Sequence, residues 1–148
     1  MQELQVNKEN CFSVLMAVYK KEQPLFFKEA LRSVFEQSLI PNEVVLVKDG
    51  PLTEELEQII VDFSSKNEQL KVITLEKNQG LGEALRIGLN ACSFDLVARM
   101  DSDDICKPYR FEKQIAFLKE HKEITIVGSW IEEFSDCKEE NYLKKINN

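Results

Sequence analysis

The chain has 148 residues, 43% of them hydrophobic and 30% charged, which suits one globular domain with a real core and leaves little room for two. Its net charge is −7 and its lysines and arginines are scattered rather than blocked, which argues against a nucleic-acid partner. Four cysteines (Cys11, Cys92, Cys106 and Cys137) at long, irregular spacings and a single histidine, His121, argue against a zinc motif and suit reduced thiols in a cytoplasmic protein.

The first residues, MQELQVNKENC, lack the apolar core of a signal peptide. Phe12 to Val18, FSVLMAV, is then a continuous apolar run of strand length. PLFFKEALRSVFEQS follows, placing Phe27, Leu31 and Phe35 on one helical face beside Ala30 and Val34, with Pro24 suited to the first turn. Glu43 to Lys48 forms a second strand that closes on Asp49-Gly50-Pro51. Thr53 caps a helix whose first turn holds Glu54 and Glu55 and whose buried stripe is Leu56, Ile59, Ile60 and Phe63.

Leu70 to Leu75 is the third strand, NQGLGEALRIGLNAC a glycine-opened helix, and Phe94 to Met100 the fourth strand. A helix is expected from Pro108, with Phe111, Ile115 and Leu118 inward. His121, near its end, suits a helix-dipole partner. ITIVGSWIEEF is expected to supply one or two more strands, with Trp130 in core or sheet packing. A polar tail, about residues 137–148, is expected to fray. No stretch reaches transmembrane length, which leaves peripheral contact with the inner face of the cell membrane open.

Strands and helices in strict alternation, with near-continuous apolar strands, indicate an α/β fold: a mostly parallel, Rossmann-like sheet with helices on both faces. Right-handed crossovers then bring every strand's C-terminal end to one rim, where such folds bind ligands. The residues leaving the strands are Tyr19 and Lys20, Asp49 and Gly50, Asn78 and Gly80, and the acidic cluster Asp101, Asp103 and Asp104.

Two carboxylates at spacing i, i+2 after a strand can grip one hard divalent cation, Mg²⁺ or Mn²⁺, whose remaining positions a diphosphate completes. An isolated Asp-x-Asp is more often a helix cap beside a solvated carboxylate; its place on the rim weakens that bland reading. Asp49 suits either a hydrogen bond to a uracil imide or ribose hydroxyl, or a turn before Gly-Pro. Asn78-Gln79-Gly80-Leu81-Gly82 offers amides to an anion at a helix start, or simply turns the chain; it has neither dinucleotide nor P-loop spacing. Arg86 suits a diphosphate contact or a solvated helix position.

Together FSVLMAVYKKE, VVLVKDGPLTEEL, EKNQGLGEALRIGL and LVARMDSDDICKPYRFEKQ resemble the family 2 glycosyltransferases of GT-A fold, over about Phe12 to Phe134. The wording is nearest to bacterial transferases of exopolysaccharide, capsule or O-antigen assembly. The resemblance implies that Ala17 and Tyr19 line the nucleotide base, that Asp49 recognises it, and that Asn78 and Gly80 border the nucleotide. It implies that Asp101 and Asp103 contact the ribose and hold the metal on the diphosphate, with Asp104 a substitute ligand. Ala84-Leu85-Arg86 departs from the family's Ala-Arg-Asn or Ala-Leu-Asn, and Arg86 is carried as a nucleotide contact; Lys48 stands where an acidic residue is frequent.

The implied reaction moves a sugar from a nucleotide-diphosphate donor, a UDP-sugar favoured, to a saccharide or lipid-linked acceptor, with inversion and with Mg²⁺ or Mn²⁺. The family's general base lies well beyond its Asp-x-Asp, whereas about 45 residues follow Asp101 here, short for a complete active site. Glu132, Glu133 and Asp136 follow the motif, and the family offers no reason to assign one as the base. The expectation is therefore one donor-binding domain over residues 1–148, truncated at its C-terminus, with the base absent and the oligomeric state open. The alternative is a nucleotide-sugar-binding module without turnover.

Overall fold

Residues 11–133 are described in the computed structural model of the chain. The elements run β1 (Phe12–Val18), α1 (Pro24–Phe35), β2 (Glu43–Lys48), α2 (Glu54–Ser64), β3 (Leu70–Thr74), α3 (Leu81–Ala91), β4 (Leu96–Arg99) and α4 (Arg110–Glu120). Every residue of β1 is buried, as a central strand covered on both faces requires. It pairs in parallel with β2, from Ser13 opposite Glu43 to Val18 opposite Lys48, and with β4, from Phe12 opposite Leu96 to Leu15 opposite Arg99. β3 adds to β2 in parallel, giving the order β3-β2-β1-β4. β3 and β4 are the edges, which is why Lys71, Thr74 and Arg99 are exposed within them.

The strand order reverses beside β1. Two crossovers lead from β1 through β2 to β3, and the third returns past both to place β4 on the far side. Leu15 and Ala17 of β1 and Val45 and Val47 of β2 pack with Ala84 of α3. Strand alternation turns Val14, Met16, Val18, Val44 and Leu46 to the opposite face, where right-handed crossovers put α1 and α2. Those two helices touch, and the rings of Phe35 and Phe63 stack at 5.9 Å between centroids. α3 lies so close to the sheet that a Cβ on Gly88 would stand 2.4 Å from Leu15 Cδ1 and 2.8 Å from Val47 Cγ2.

Local signals set the helix starts. Pro24 opens α1, and the Thr53 hydroxyl accepts the Leu56 N–H at 3.3 Å ahead of an acidic first turn in α2. Gln37, just past α1 and 4% exposed, does what no local signal announces. Its amide donates to Ser33 O at 3.0 Å and Lys107 O at 2.9 Å, while its oxygen accepts the Phe111 N–H at 3.3 Å. One buried side chain therefore satisfies the start of α4 from the end of α1.

The chain divides into two compact units, one ending at Phe111 and one beginning at Glu112. In the first, the Phe111 ring meets Phe12 edge-on at 5.2 Å. In the second, Ile115 is buried, Leu118 is partly buried, and the His121 ring lies 4.4 Å from Phe117.

The expectation of one or two strands over residues 124–134 is not met: residues 124–133 contain no strand, and Phe134 lies outside the described residues. Trp130 is fully exposed rather than packed, as are most of Ile126 and Ile131. An apolar run becomes a strand only against a partner's backbone donors and acceptors, and no described residue pairs with this one. The polar tail from residue 137, with Cys137, lies outside the described residues; no disulfide joins the three described cysteines. Among the described residues, no helix is long and apolar enough to cross a membrane.

Candidate functional site

A cavity of about 390 Å³ opens at the C-terminal ends of the strands, where the strand order reverses. β1 and the turn after it contribute Ala17, Val18, Tyr19 and Glu22, and β2 contributes Asp49. The approach to α3 supplies Asn78, Gly80 and Leu81, and the exit of β4 supplies Asp101, Ser102 and Asp103. Four carboxylates thus share one wall, and their partners distinguish them.

Asp49, 5% exposed, is held from both sides. Its own N–H donates to Val18 O at 2.8 Å. Its Oδ1 accepts the Gln79 N–H at 2.7 Å, and its Oδ2 accepts the Gly80 N–H at 3.1 Å and the Asn78 amide at 3.0 Å. That amide also reaches Asp49 O at 3.2 Å. Two glycines permit this approach. Gly50 has φ +87°, and a Cβ there would lie 2.6 Å from the Asn78 nitrogen. Gly80, the N-cap of α3, has φ +89°. Because Oδ1 takes only one donor, a lone pair remains on it for a ligand N–H or hydroxyl.

Glu22 Oε1 accepts the Gln23 N–H at 2.9 Å, and Oε2 accepts the Ser102 hydroxyl. Asp101 pairs with Arg99. Asp103 is exposed, and no hydrogen bond or ion pair joins its carboxylate to another described residue. Partial burial and then the charges of Asp101 and Asp103 push the neighbouring Asp104 carboxyl above its ordinary value, against the pull of Arg99 and Arg110. Negative charge therefore accumulates here faster than the nearby arginines offset it.

The base of this acidic turn is tied down. Arg110 donates to Arg99 O at 3.1 Å, Met100 Sδ at 3.1 Å and Cys106 Sγ at 3.2 Å, and the Ser33 hydroxyl accepts the Cys106 N–H at 3.0 Å. Burial pushes the Cys106 thiol up despite Arg110, which suits a packed rather than a reactive sulfur.

Of the residues expected from sequence, Ala17, Tyr19, Asp49, Asn78, Gly80, Asp101 and Asp103 come together on the wall. Arg86 does not: it projects from the exposed side of α3 and pairs with Glu83 through bonds of 2.6 and 2.8 Å. Asp104 also lies off the wall. Among the described residues no three His, Cys, Asp or Glu side chains converge as a metal cage, so Asp101, Asp103 and Asp104 do not form one by themselves. The donor set fits an open site instead, with two carboxylates on a concave wall and room for ligand oxygens. Glu22, Ser102, Val18 and Leu81 were not anticipated. A serine between two rim aspartates was the one legible hint, since its side chain must go somewhere.

Residues 13–147 match the family model for glycosyl transferase family 2. The chain belongs to that family. It is 48% identical over 123 residues to the UDP-Gal:alpha-D-GlcNAc-diphosphoundecaprenol beta-1,3-galactosyltransferase of Escherichia coli, covering 83% of this chain and 44% of that protein. It is 43% identical over 135 residues to the amylovoran biosynthesis glycosyltransferase AmsE of Erwinia amylovora, covering 91% and 50%. The chain thus spans about half the length of these curated relatives or less. Among solved structures, S. aureus TarS 1-349 in complex with UDP-GlcNAc superposes with a TM-score of 0.66 at 32% identity, over 76% of this chain and 32% of that 1-349 chain. The parallel α/β sheet of this family 2 chain is of the GT-A type.

Proposed function

We propose that the cavity binds the nucleotide-diphosphate sugar of a transferase that glycosylates a saccharide or lipid-linked acceptor in bacterial surface-polysaccharide synthesis. The observation that carries the reading is Asp103: a carboxylate without a partner among the described residues, beside Asp101 on a concave wall. The rest of the wall suits a nucleoside. Tyr19 offers an aromatic face, and Asp49 Oδ1 has a lone pair for a base N–H. A UDP-sugar is favoured because two relatives are named for one: the E. coli galactosyltransferase for UDP-Gal, and TarS for its complex with UDP-GlcNAc.

Asp101 and Asp103 would hold Mg²⁺ or Mn²⁺, with Asp104 a further ligand if the turn rearranges. When bound, the cation would supply Lewis-acid stabilisation of the departing diphosphate. Arg99, already paired with Asp101, orients that carboxylate. Family 2 chemistry implies inversion by direct displacement, with a carboxylate removing the acceptor proton. We assign that base to no described residue. A lipid-linked acceptor implies work at a membrane face, with the nucleotide sugar drawn from the cytoplasm.

A second reading, donor binding without turnover, draws on the engagement of the other carboxylates. On the described wall Glu22, Asp49 and Asp101 each already accept a donor. Calorimetric titration of the 148-residue chain with UDP, GDP, CDP and dTDP, with and without Mn²⁺, tests the donor site. UDP binding that needs Mn²⁺ and is lost in Asp103→Ala is the expected result; no binding by any nucleotide under any condition ends the reading. Transfer of labelled sugar to a lipid-linked saccharide separates turnover from binding alone.

A further inference from the structure

Ser102 is the residue between the two carboxylates assigned to the cation, and its side chain is buried against Glu22. It is 7% exposed, whereas Asp103 beside it is exposed. Its hydroxyl donates to Glu22 Oε2, across a sequence separation of 80 residues. Glu22 is itself fixed before it meets Ser102. Its N–H closes a turn on Tyr19 O at 3.0 Å, and its Oε1 accepts the adjacent Gln23 N–H at 2.9 Å. The carboxylate is thus anchored to its own turn and presents one oxygen to the opposite loop.

This bond joins the loop after β1 to the loop after β4, the two strands between which the sheet order reverses. Both loops carry cavity wall, and both bonded residues line it. Asp103 has no partner of its own among the described residues, so its position depends on the backbone that holds it. Arg110 and Ser33 secure that backbone on one side, at Arg99 and Cys106. On the cavity side the bond from Ser102 to Glu22 secures it.

We infer that Glu22 is a positioning residue: by holding Ser102 it sets the separation and orientation of Asp101 and Asp103 for a divalent cation on the donor diphosphate. The inference rests on the donor-site reading and adds to it a residue that acts through Ser102. A charge-assisted hydrogen bond of this kind corresponds to about a tenfold change in an equilibrium constant.

The test is a calorimetric double-mutant cycle on the 148-residue chain, using UDP with and without Mn²⁺. Ser102→Ala and Glu22→Ala are each expected to weaken the Mn²⁺-dependent affinity for UDP about tenfold. The double variant should lose no more than the worse single one, because both remove the same bond. Glu22→Gln keeps an oxygen for the Ser102 hydroxyl and should recover most of what Glu22→Ala loses. The loss should fall on the metal: the Mn²⁺ concentration needed for half-maximal UDP binding should rise about tenfold, and saturating Mn²⁺ should relieve most of the defect.

Parent-like Mn²⁺-dependent affinity in both alanine variants overturns the inference. So does a loss that saturating Mn²⁺ leaves in place, the mark of general loop collapse, and so do strictly additive losses in the double variant. If the parent chain itself shows no Mn²⁺-dependent UDP binding, the donor-site reading fails first, and the proposed role of Glu22 fails with it.

Discussion

The N–H of Gly80, which caps α3, lies 3.1 Å from a carboxylate oxygen of Asp49, a residue at the end of β2 and 31 positions earlier. The same carboxylate takes the Gln79 N–H at 2.7 Å. Asp49 therefore aims the start of one helix at the end of another strand, and it shapes the cavity before any ligand arrives. Asp49→Asn replaces one acceptor oxygen with a donor that must face another donor. Loss of about 2 kcal/mol in urea unfolding is expected, together with weaker UDP binding. Unchanged stability would show that the carboxylate is not engaged as described.

Gly50 and Gly80 both have positive φ, but their surroundings differ. A Cβ on Gly50 meets the Asn78 backbone at 2.6 Å, whereas one on Gly80 meets nothing within 4 Å. Gly80→Ala should therefore cost only the backbone strain, about 1–3 kcal/mol for an extended positive-φ position. Gly50→Ala adds a backbone clash and should cost about 3 kcal/mol or more. Equal losses in chemical denaturation would mean that the 77–78 segment does not press on Gly50.

Gln37→Leu tests the buried amide that bridges α1 and α4. It strands the buried Phe111 N–H, takes one of two donors from the Lys107 carbonyl, and should destabilise the fold by about 2–3 kcal/mol. Hydrogen exchange should speed up first at residues 106–111, with β1 and β2 protected as before. Uniform loss of protection would contradict a local tether.

The Asp104 carboxyl is raised in the folded chain above its ordinary value of 3.8, by partial burial and by Asp101 and Asp103. For a raised acid, the associated stability is fully present below the unfolded value and is lost as pH rises through the folded one. Ionised Asp104 is thus a mild liability at neutral pH, reduced by solvent screening because the side chain is largely exposed. Asp104→Asn should raise the melting temperature slightly at pH 7, with the gain fading below pH 4. Mn²⁺ with UDP should shrink the difference by neutralising the cluster. A gain that is constant with pH would assign the effect to something other than charge.

Much of this was legible in the residues themselves. Val14–Val18 and Val44–Val47 are apolar without interruption, so Phe12–Val18 and Glu43–Lys48 become the two central strands with the expected bounds. The helix stripes hold for the most part: Phe27, Ala30, Leu31 and Val34 are buried in α1 and Leu56 and Ile60 in α2, while Phe35, Ile59 and Phe63 are half-buried. The rim aspartates converge because alternating strands and helices of one hand leave few other arrangements. Residues 124–133 misled because their apolar, β-branched pattern describes a strand's side chains and says nothing about the backbone partner a strand needs. Arg86 stands off the cavity wall because a helix position near a rim does not fix which way a long side chain reaches, and Glu83 one turn away claims it.

Periodicity and chain order alone thus determined the alternation of elements, the buried faces and the rim on which Tyr19, Asp49, Gly80 and Asp101 would gather, since each depends on residues a few positions apart. Tertiary structure decided the rest. It set the order β3-β2-β1-β4, the hold of Asp49 on Gly80, the reach of Gln37 to Phe111 and the bond between Ser102 and Glu22. Those pairs are separated by 31, 74 and 80 residues. No local pattern encodes a partner at such range; only the folded backbone brings the donor of one loop to the acceptor of another.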